Sequence, residues 1–79
     1  MTNLEKYQAV FIKIFQVSVE ELSEEFTVKS CKEWDSMNHI SMIMALEDAF
    51  EIMLDPEDII EFISYTKGIE LLEKYNIQL

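Results

Sequence analysis

Apolar residues recur at helical intervals along the chain and predict four helices. The predicted helices are about Asn3–Phe15, Ser36–Phe50, Pro56–Phe62 and Lys67–Tyr75. Polar residues mark where they begin: Thr2 and Glu5 have capping-box spacing, Asp55-Pro56 is a typical helix start, and Thr66 is a suitable cap. We therefore expect one all-α domain over residues 1–79, a four-helix bundle of three longer helices and one short helix, with a core rich in Met and Leu.

The segment between the first two helices has no strong periodicity. Ser18 and Glu21 again have capping-box spacing, which favours a short helical turn over residues 19–24. Apolar residues of this loop, Phe26 among them, are expected to anchor it to the core. We expect Trp34 to pack beneath the loop, because a large aromatic side chain buries well there.

The second predicted helix carries apolar residues on two faces. One face is expected to join the core and contains Met42, Ile43, Leu46, Ala49 and Phe50. The other contains Met37, Ile40 and Met44, interleaved with Glu47 and Asp48. A second apolar face needs a cover, which in so small a chain is a partner protein or a mobile ligand. His39 lies near the core arc, and we expect a hydrogen-bonded histidine at the rim of the core.

Charge is strongly unbalanced, with sixteen acidic residues against six lysines and a formal net charge of −10. No lysine lies between Glu33 and Thr66, a window that holds nine carboxylates. Nucleic acid and anionic membranes are therefore poor partners, whereas basic protein surfaces are good ones. A simple solubilising role for the acidic surface is the alternative.

Cys31 is the only cysteine, so it cannot form an intrachain disulfide, and a reducing compartment fits. The apolar runs are too short for a membrane span. We expect a cytoplasmic monomer. The acidic run Asp55–Asp58 is not a calcium loop of the EF-hand type, because that loop needs alternating ligands and a central glycine.

Ser36 allows two interpretations at the start of the second helix. A serine or aspartate there is an ordinary N-cap. A hydroxyl at this position is also well placed to carry a phosphate, since free amide groups and the helix dipole stabilise an anion.

The run Asp35-Ser36-Met37, followed by an amphipathic helix ending Ala45-Leu46-Glu47-Asp48-Ala49-Phe50, resembles the acyl carrier protein family. In that family the motif is Asp-Ser-Leu, and the resemblance extends in register over nearly the whole chain. It implies that Ser36 carries 4′-phosphopantetheine, transferred from coenzyme A by a Mg²⁺-dependent phosphopantetheinyl transferase.

The resemblance also implies that the chain is a carrier rather than an enzyme. Its partners would be the transferase, an acyl- or aminoacyl-loading enzyme and downstream transferases with basic docking patches. The residues expected to contact these partners are Asp35, Met37, Ile40, Met44, Glu47, Asp48, Glu51 and Glu57.

Three positions depart from the family pattern: Met37 replaces leucine, Trp34 replaces a small residue, and Ser41 replaces a frequent glutamate. These departures favour a specialised biosynthetic pathway over general fatty-acid synthesis. A D-alanyl or other aminoacyl carrier remains open, because Asp-Ser-Met also occurs in such carriers. The alternative from another class is an unmodified acidic protein-interaction module.

Overall fold

The computed structural model describes residues 1–79 and contains four α-helices, one 3₁₀ turn and no strand. The helices are α1 (Asn3–Phe15), α2 (Ser36–Phe50), α3 (Pro56–Glu61) and α4 (Tyr65–Glu73), and the 3₁₀ turn is Val19–Glu21. α1 and α2 pack directly against each other. The all-helical, four-helix prediction is confirmed, and the radius of gyration of 11.3 Å describes a compact molecule.

The helix ends follow local capping chemistry. Thr2 and Glu5 form the predicted capping box: the Glu5 backbone N–H donates to Thr2 Oγ1, and the Thr2 N–H donates to Glu5 Oε1. The predicted start of α4 is wrong by two residues. Ser64, rather than Thr66, is its cap, because Ser64 Oγ accepts the Lys67 N–H at 3.0 Å.

The core contains four leucines, in line with the predicted Met- and Leu-rich core, but it is mainly aromatic and has little methionine. Seven of its sixteen buried residues are aromatic, and Met42 is the only methionine among them. The aromatic members are Tyr7, Phe11, Phe15, Phe26, Trp34, Phe62 and Tyr65. Gly68 of α4 lies so close to Tyr7 and Phe62 that a Cβ would overlap both side chains. The Tyr7 and Phe62 rings are therefore packed tightly against α4, with no room there for a further methyl group.

The long connection between α1 and α2 is held to the rest of the fold by Phe26 and by backbone hydrogen bonds. The turn predicted over residues 19–24 exists as the shorter 3₁₀ turn Val19–Glu21, and half of the predicted capping box is formed, since the Ser18 N–H donates to Glu21 Oε2 at 2.9 Å. The Val28 N–H donates to the Ile63 carbonyl and the Tyr65 N–H donates to the Phe26 carbonyl, both at 2.9 Å. These bonds join the loop to the segment between α3 and α4.

The short helix α3 is anchored by Asp58, whose side chain is 1% exposed. Asp58 Oδ1 accepts a hydrogen bond from Lys74 Nζ at 2.7 Å, and Asp58 Oδ2 accepts one from the Tyr75 hydroxyl. The apolar residues Ile59, Ile60 and Phe62 suggest from the sequence that all three make core contacts, but Ile60 does not, since it is 76% exposed. A six-residue helix has room for only one buried face, and Asp58 and Phe62 occupy it.

None of the helices combines the length and the apolar character that crossing a bilayer requires.

Candidate functional site at the start of helix α2

Asp35 is the N-cap of α2. Its Oδ1 accepts the Asn38 N–H at 2.8 Å, and Asn38 Nδ2 donates to the Glu33 carbonyl at 2.7 Å, which fixes the preceding turn. Ser36 is therefore the first residue of the helix rather than its cap, and its side chain is exposed. The N-cap interpretation of Ser36 is wrong, and its hydroxyl is available for other chemistry.

The two faces of α2 separate as predicted. Met42, Ile43 and Leu46 are buried. On the opposite side, Met37 is 79% exposed and Met44 is 63% exposed, with Ile40 between them at 52%. We call Met37, Ile40 and Met44 the outer face of α2. Its apolar side chains are in contact with water and are available to a partner.

His39 connects the start of α2 to α3. The Trp34 indole N–H donates to His39 Nδ1 at 2.9 Å, and His39 Nε2 lies 2.8 Å from the Ile59 carbonyl oxygen. Because Nδ1 accepts, the proton of the neutral ring is on Nε2, which donates to Ile59. The half-buried His39 is thus the rim histidine that the sequence predicts, with both nitrogens hydrogen-bonded.

Trp34 is buried beneath the loop, as expected, and is only 4% exposed. Its ring lies 5.0 Å from Phe15, 5.8 Å from Phe11 and 6.2 Å from His39, measured between ring centroids. One part of the ring nevertheless reaches the surface beside Ser36, where it lines a groove.

This groove, called here the Ser36 groove, has a volume of about 350 Å³ and lies between the start of α2 and the end of α3. Its polar residues, Asp35, Ser36 and His39, lie on α2 or at its cap, and the rest of its lining is apolar. The apolar lining residues are Val28, Trp34, Ile40, Ile60, Phe62 and Ile63. A chain attached to Ser36 would find an apolar surface within immediate reach.

Asp35 is the only carboxylate in the groove lining, and the other predicted docking acids lie on the last two turns of α2, at its end or in the first turn of α3. Asp48, Glu51 and Glu57 are exposed. Glu47 is half-buried and has a structural task, since its Oε2 accepts the Leu54 N–H at 2.8 Å and holds the loop after α2. Of the predicted docking acids, Asp35 and Glu47 therefore each have a carboxylate oxygen already engaged by a backbone N–H of the chain.

A larger depression, of about 520 Å³, lies away from Ser36 against the connection between α1 and α2. Most of its lining is acidic or polar, and it includes Cys31. Burial raises the pKa of the Cys31 thiol, which lowers its nucleophilicity at neutral pH. The Ser36 groove, with its hydroxyl and apolar walls, is therefore the better candidate for a functional site.

Comparison of the chain with models of protein families and with characterised proteins gives no match.

Sequence reasoning located Ser36 and the outer face but missed most of the groove. Val28 comes from the connection between α1 and α2, whereas Ile60 and Ile63 come from the end of α3 and the residues after it, and backbone hydrogen bonds between residues 26–28 and 63–65 join the two segments. One residue in the sequence could have indicated the groove. Ile60 lies outside the buried arc of α3, and a six-residue helix is too short to have two apolar faces of its own.

Proposed function

We propose that this chain is a carrier that holds acyl intermediates on a 4′-phosphopantetheine arm attached to Ser36. The observation that carries this proposal is the exposed Ser36 hydroxyl, which is not needed for capping and lies beside an apolar groove. The resemblance of Asp35-Ser36-Met37 and the following helix to acyl carrier proteins supports the same interpretation.

The residues around Ser36 fit such an arm. A phosphodiester on Ser36 Oγ would lie at the positive end of α2, where the first backbone amides point outward. In the transfer step Ser36 Oγ forms a new P–O bond to the phosphopantetheine phosphorus. The pyrophosphate P–O bond of coenzyme A breaks, adenosine 3′,5′-bisphosphate leaves, and the serine proton passes to a base on the transferase. When bound, the arm supplies a thiol that holds cargo as a thioester.

On this proposal the chain itself catalyses nothing. It keeps its cargo at high effective concentration near successive active sites. Partners would contact the apolar outer face of α2 and the surrounding carboxylates, with Asp35, Asp48, Glu51 and Glu57 the most accessible. Charge attraction speeds encounter with a basic surface, and modest affinity permits release.

The proposed compartment is the cytoplasm, and the proposed state is a monomer. A single buried thiol suits a reducing environment. A specialised biosynthetic pathway, rather than general fatty-acid synthesis, suits the residues at positions 34, 37 and 41, where the chain departs from the family pattern.

A second candidate is an unmodified acidic interaction module. It is favoured by the outer face of α2, which would serve as a docking surface whether or not Ser36 carries an arm. This candidate predicts a tight partner whose affinity is unchanged by Ser36→Ala.

Intact-mass measurement separates the two candidates. The purified chain is incubated with coenzyme A, Mg²⁺ and a broad-specificity phosphopantetheinyl transferase. We expect one added phosphopantetheine group on the wild type and on Ser41→Ala, which alters an exposed serine of the same helix. Ser36→Ala should gain none. An unmodified wild type, or a Ser36→Ala variant that still gains the mass, would overturn the carrier proposal.

A further inference from the structure

The side chains of Trp34 and His39 lie between the Ser36 groove and the interior of the bundle and block access from one to the other. The Trp34 ring is packed among Phe11, Phe15 and Phe62, and its indole N–H is held by His39. His39 in turn bonds the Ile59 carbonyl, so one side chain spans the gap between α2 and α3.

Opening this barrier is unfavourable for two reasons. A guest chain would have to displace the Trp34 ring from its contacts with the buried rings of Phe11, Phe15 and Phe62. It would also have to break the hydrogen bond of a buried indole N–H, for which the apolar guest offers no substitute. The groove therefore ends at the Trp34 ring, and cargo stays at the surface.

The chemistry of the groove restricts the cargo further. Six of its nine lining residues are apolar, none is a lysine, and both nitrogens of His39 are already engaged. A carboxylate has no cation to meet there, and an ammonium group would lose its water to apolar walls. Asp35 is the only charged residue in the lining, and it is occupied with the cap of α2.

We propose that Trp34, held by His39, limits the cargo that the Ser36 groove can shelter to short, uncharged acyl groups. The inference depends on the proposed function, because it concerns cargo on the arm at Ser36. The groove volume is about 350 Å³. At about 30 Å³ for each water-sized group, the groove takes roughly a dozen groups at most, which the end of the arm and the cargo must share. With an equal share, cargo of up to about six carbons fits, and longer chains protrude into water.

The test uses the full chain loaded at Ser36 with acetyl, butyryl, hexanoyl, octanoyl, decanoyl or D-alanyl phosphopantetheine from the corresponding coenzyme A thioesters. Intact mass first verifies loading. Failure to load would overturn the proposed function itself. If the chain loads but its column retention or its indole resonance does not vary with the cargo as described below, only the present inference is overturned.

Retention on a native hydrophobic-interaction column reports how much cargo is exposed. For the wild type we expect nearly constant retention up to hexanoyl, then an increase on the order of fourfold per exposed methylene at most. Constant retention through decanoyl would mean that long chains enter the bundle, and would overturn the inference. A steady increase from acetyl onward would overturn it too, because the groove would then shelter nothing.

Trp34 is the only tryptophan, so its indole N–H resonance reports directly on the barrier. We expect butyryl cargo to shift this resonance and D-alanyl cargo to leave it unchanged. The N–H should remain protected from solvent exchange with every chain length. An equal shift with D-alanyl, or loss of protection with decanoyl, would contradict the proposal.

Trp34→Leu should deepen the groove and move the onset of increased retention to chains at least two carbons longer. Phe26→Leu is the matched control, since Phe26 packs on Trp34 at 5.9 Å between centroids but does not line the groove. If retention begins to increase at the same chain length in both variants, Trp34 does not set the depth of the groove. If Trp34→Leu does not fold, the wild-type retention series and the indole resonance decide the question.

Discussion

Asp58 is the one charged side chain that the core encloses. Hydrogen bonds from Lys74 and Tyr75 lower the pKa of Asp58 below its ordinary value of 3.8. Tyr75 also accepts the Asp55 N–H at 3.0 Å, so the same cluster holds the first turn of α3. The buried Asp58 carboxylate and its partners join α3 to the end of α4. Removing a partner would leave a buried polar or charged group without its hydrogen bond, which lowers the stability of the fold.

The ionised form of Asp58 should make folding depend on pH. Because its folded-state pKa is depressed, its contribution is fully present above about pH 4 and is lost as pH falls through the folded value. We expect Asp58→Asn to unfold at lower urea concentration than the wild type at pH 7. The difference between the two proteins should shrink below pH 4.

Urea titrations at pH 7, 5, 4 and 3 measure this difference. Glu57→Gln is the control, since Glu57 neighbours Asp58 but is exposed. A gap between the wild type and Asp58→Asn that stays constant down to pH 3 would show that the charge of Asp58 does not stabilise the fold.

Among the helices, α2 has two apolar faces, of which one is buried in the core and the other is exposed to solvent. Leu46 is fully buried at the centre of the core face, whereas Met44 lies in water on the outer face. Both are unbranched at Cβ and are good helix formers, so their replacement by alanine changes helix propensity little. The pair therefore isolates the effect of burial.

Leu46→Ala should lower the free energy of unfolding by about 2–5 kcal/mol, because it leaves a cavity in a tightly packed core. Met44→Ala should change it by less than about 0.5 kcal/mol. Chemical denaturation of both variants provides the measurement. Comparable losses in the two would mean that the outer face is covered within the chain and is not a docking surface.

The sequence predicts helix existence well and core composition poorly. The periodicity of α1 and α2, and the Thr2–Glu5 capping box, depend on neighbouring residues and can be read locally. The start of α4 was harder to predict, because Ser64 and Thr66 are both acceptable caps, and the hydrogen bonds from residues 63 and 65 to the α1–α2 connection, which accompany the start at Ser64, cannot be read from the local sequence.

In the candidate site, too, some features can be predicted from the local sequence and others depend on contacts between elements. Ser36 and the outer face lie on one helix, so a wheel of α2 is enough to find them. The Trp34–His39–Ile59 connection and the Asp58 cluster join residues from different elements, and no local pattern indicates such pairings.

Across the whole molecule, charge is arranged unevenly. All six basic residues lie outside residues 33–66, and the exposed carboxylates Asp48 and Glu57 lie within that window. Lys74 reaches back to Asp58, but α2 and α3 carry no lysine of their own, so a basic partner that contacts these two helices meets carboxylates on them and no cation from the same helices.

This arrangement predicts a salt-dependent transfer rate. The kcat/KM for modification of Ser36 by a transferase with a basic docking surface should fall roughly three- to tenfold between about 0.05 and 0.5 M salt, because screening shortens the attraction. The double variant Asp48→Asn/Glu57→Gln should show a weaker salt dependence. Glu70→Gln/Glu73→Gln on α4 changes the net charge equally and should retain the wild-type dependence. If kcat/KM has the same salt dependence in both double variants, the effect of salt comes from the net charge of the chain and not from a docking face.

The most direct measurement is the mass of the native protein isolated from its own cells, followed by the mass of the peptide that contains Ser36. A carrier should have phosphopantetheine on this peptide, with or without a thioester-linked acyl group, and Ser41 should be unmodified. A Ser36 that carries nothing under every growth condition in which the protein is made would contradict the carrier function.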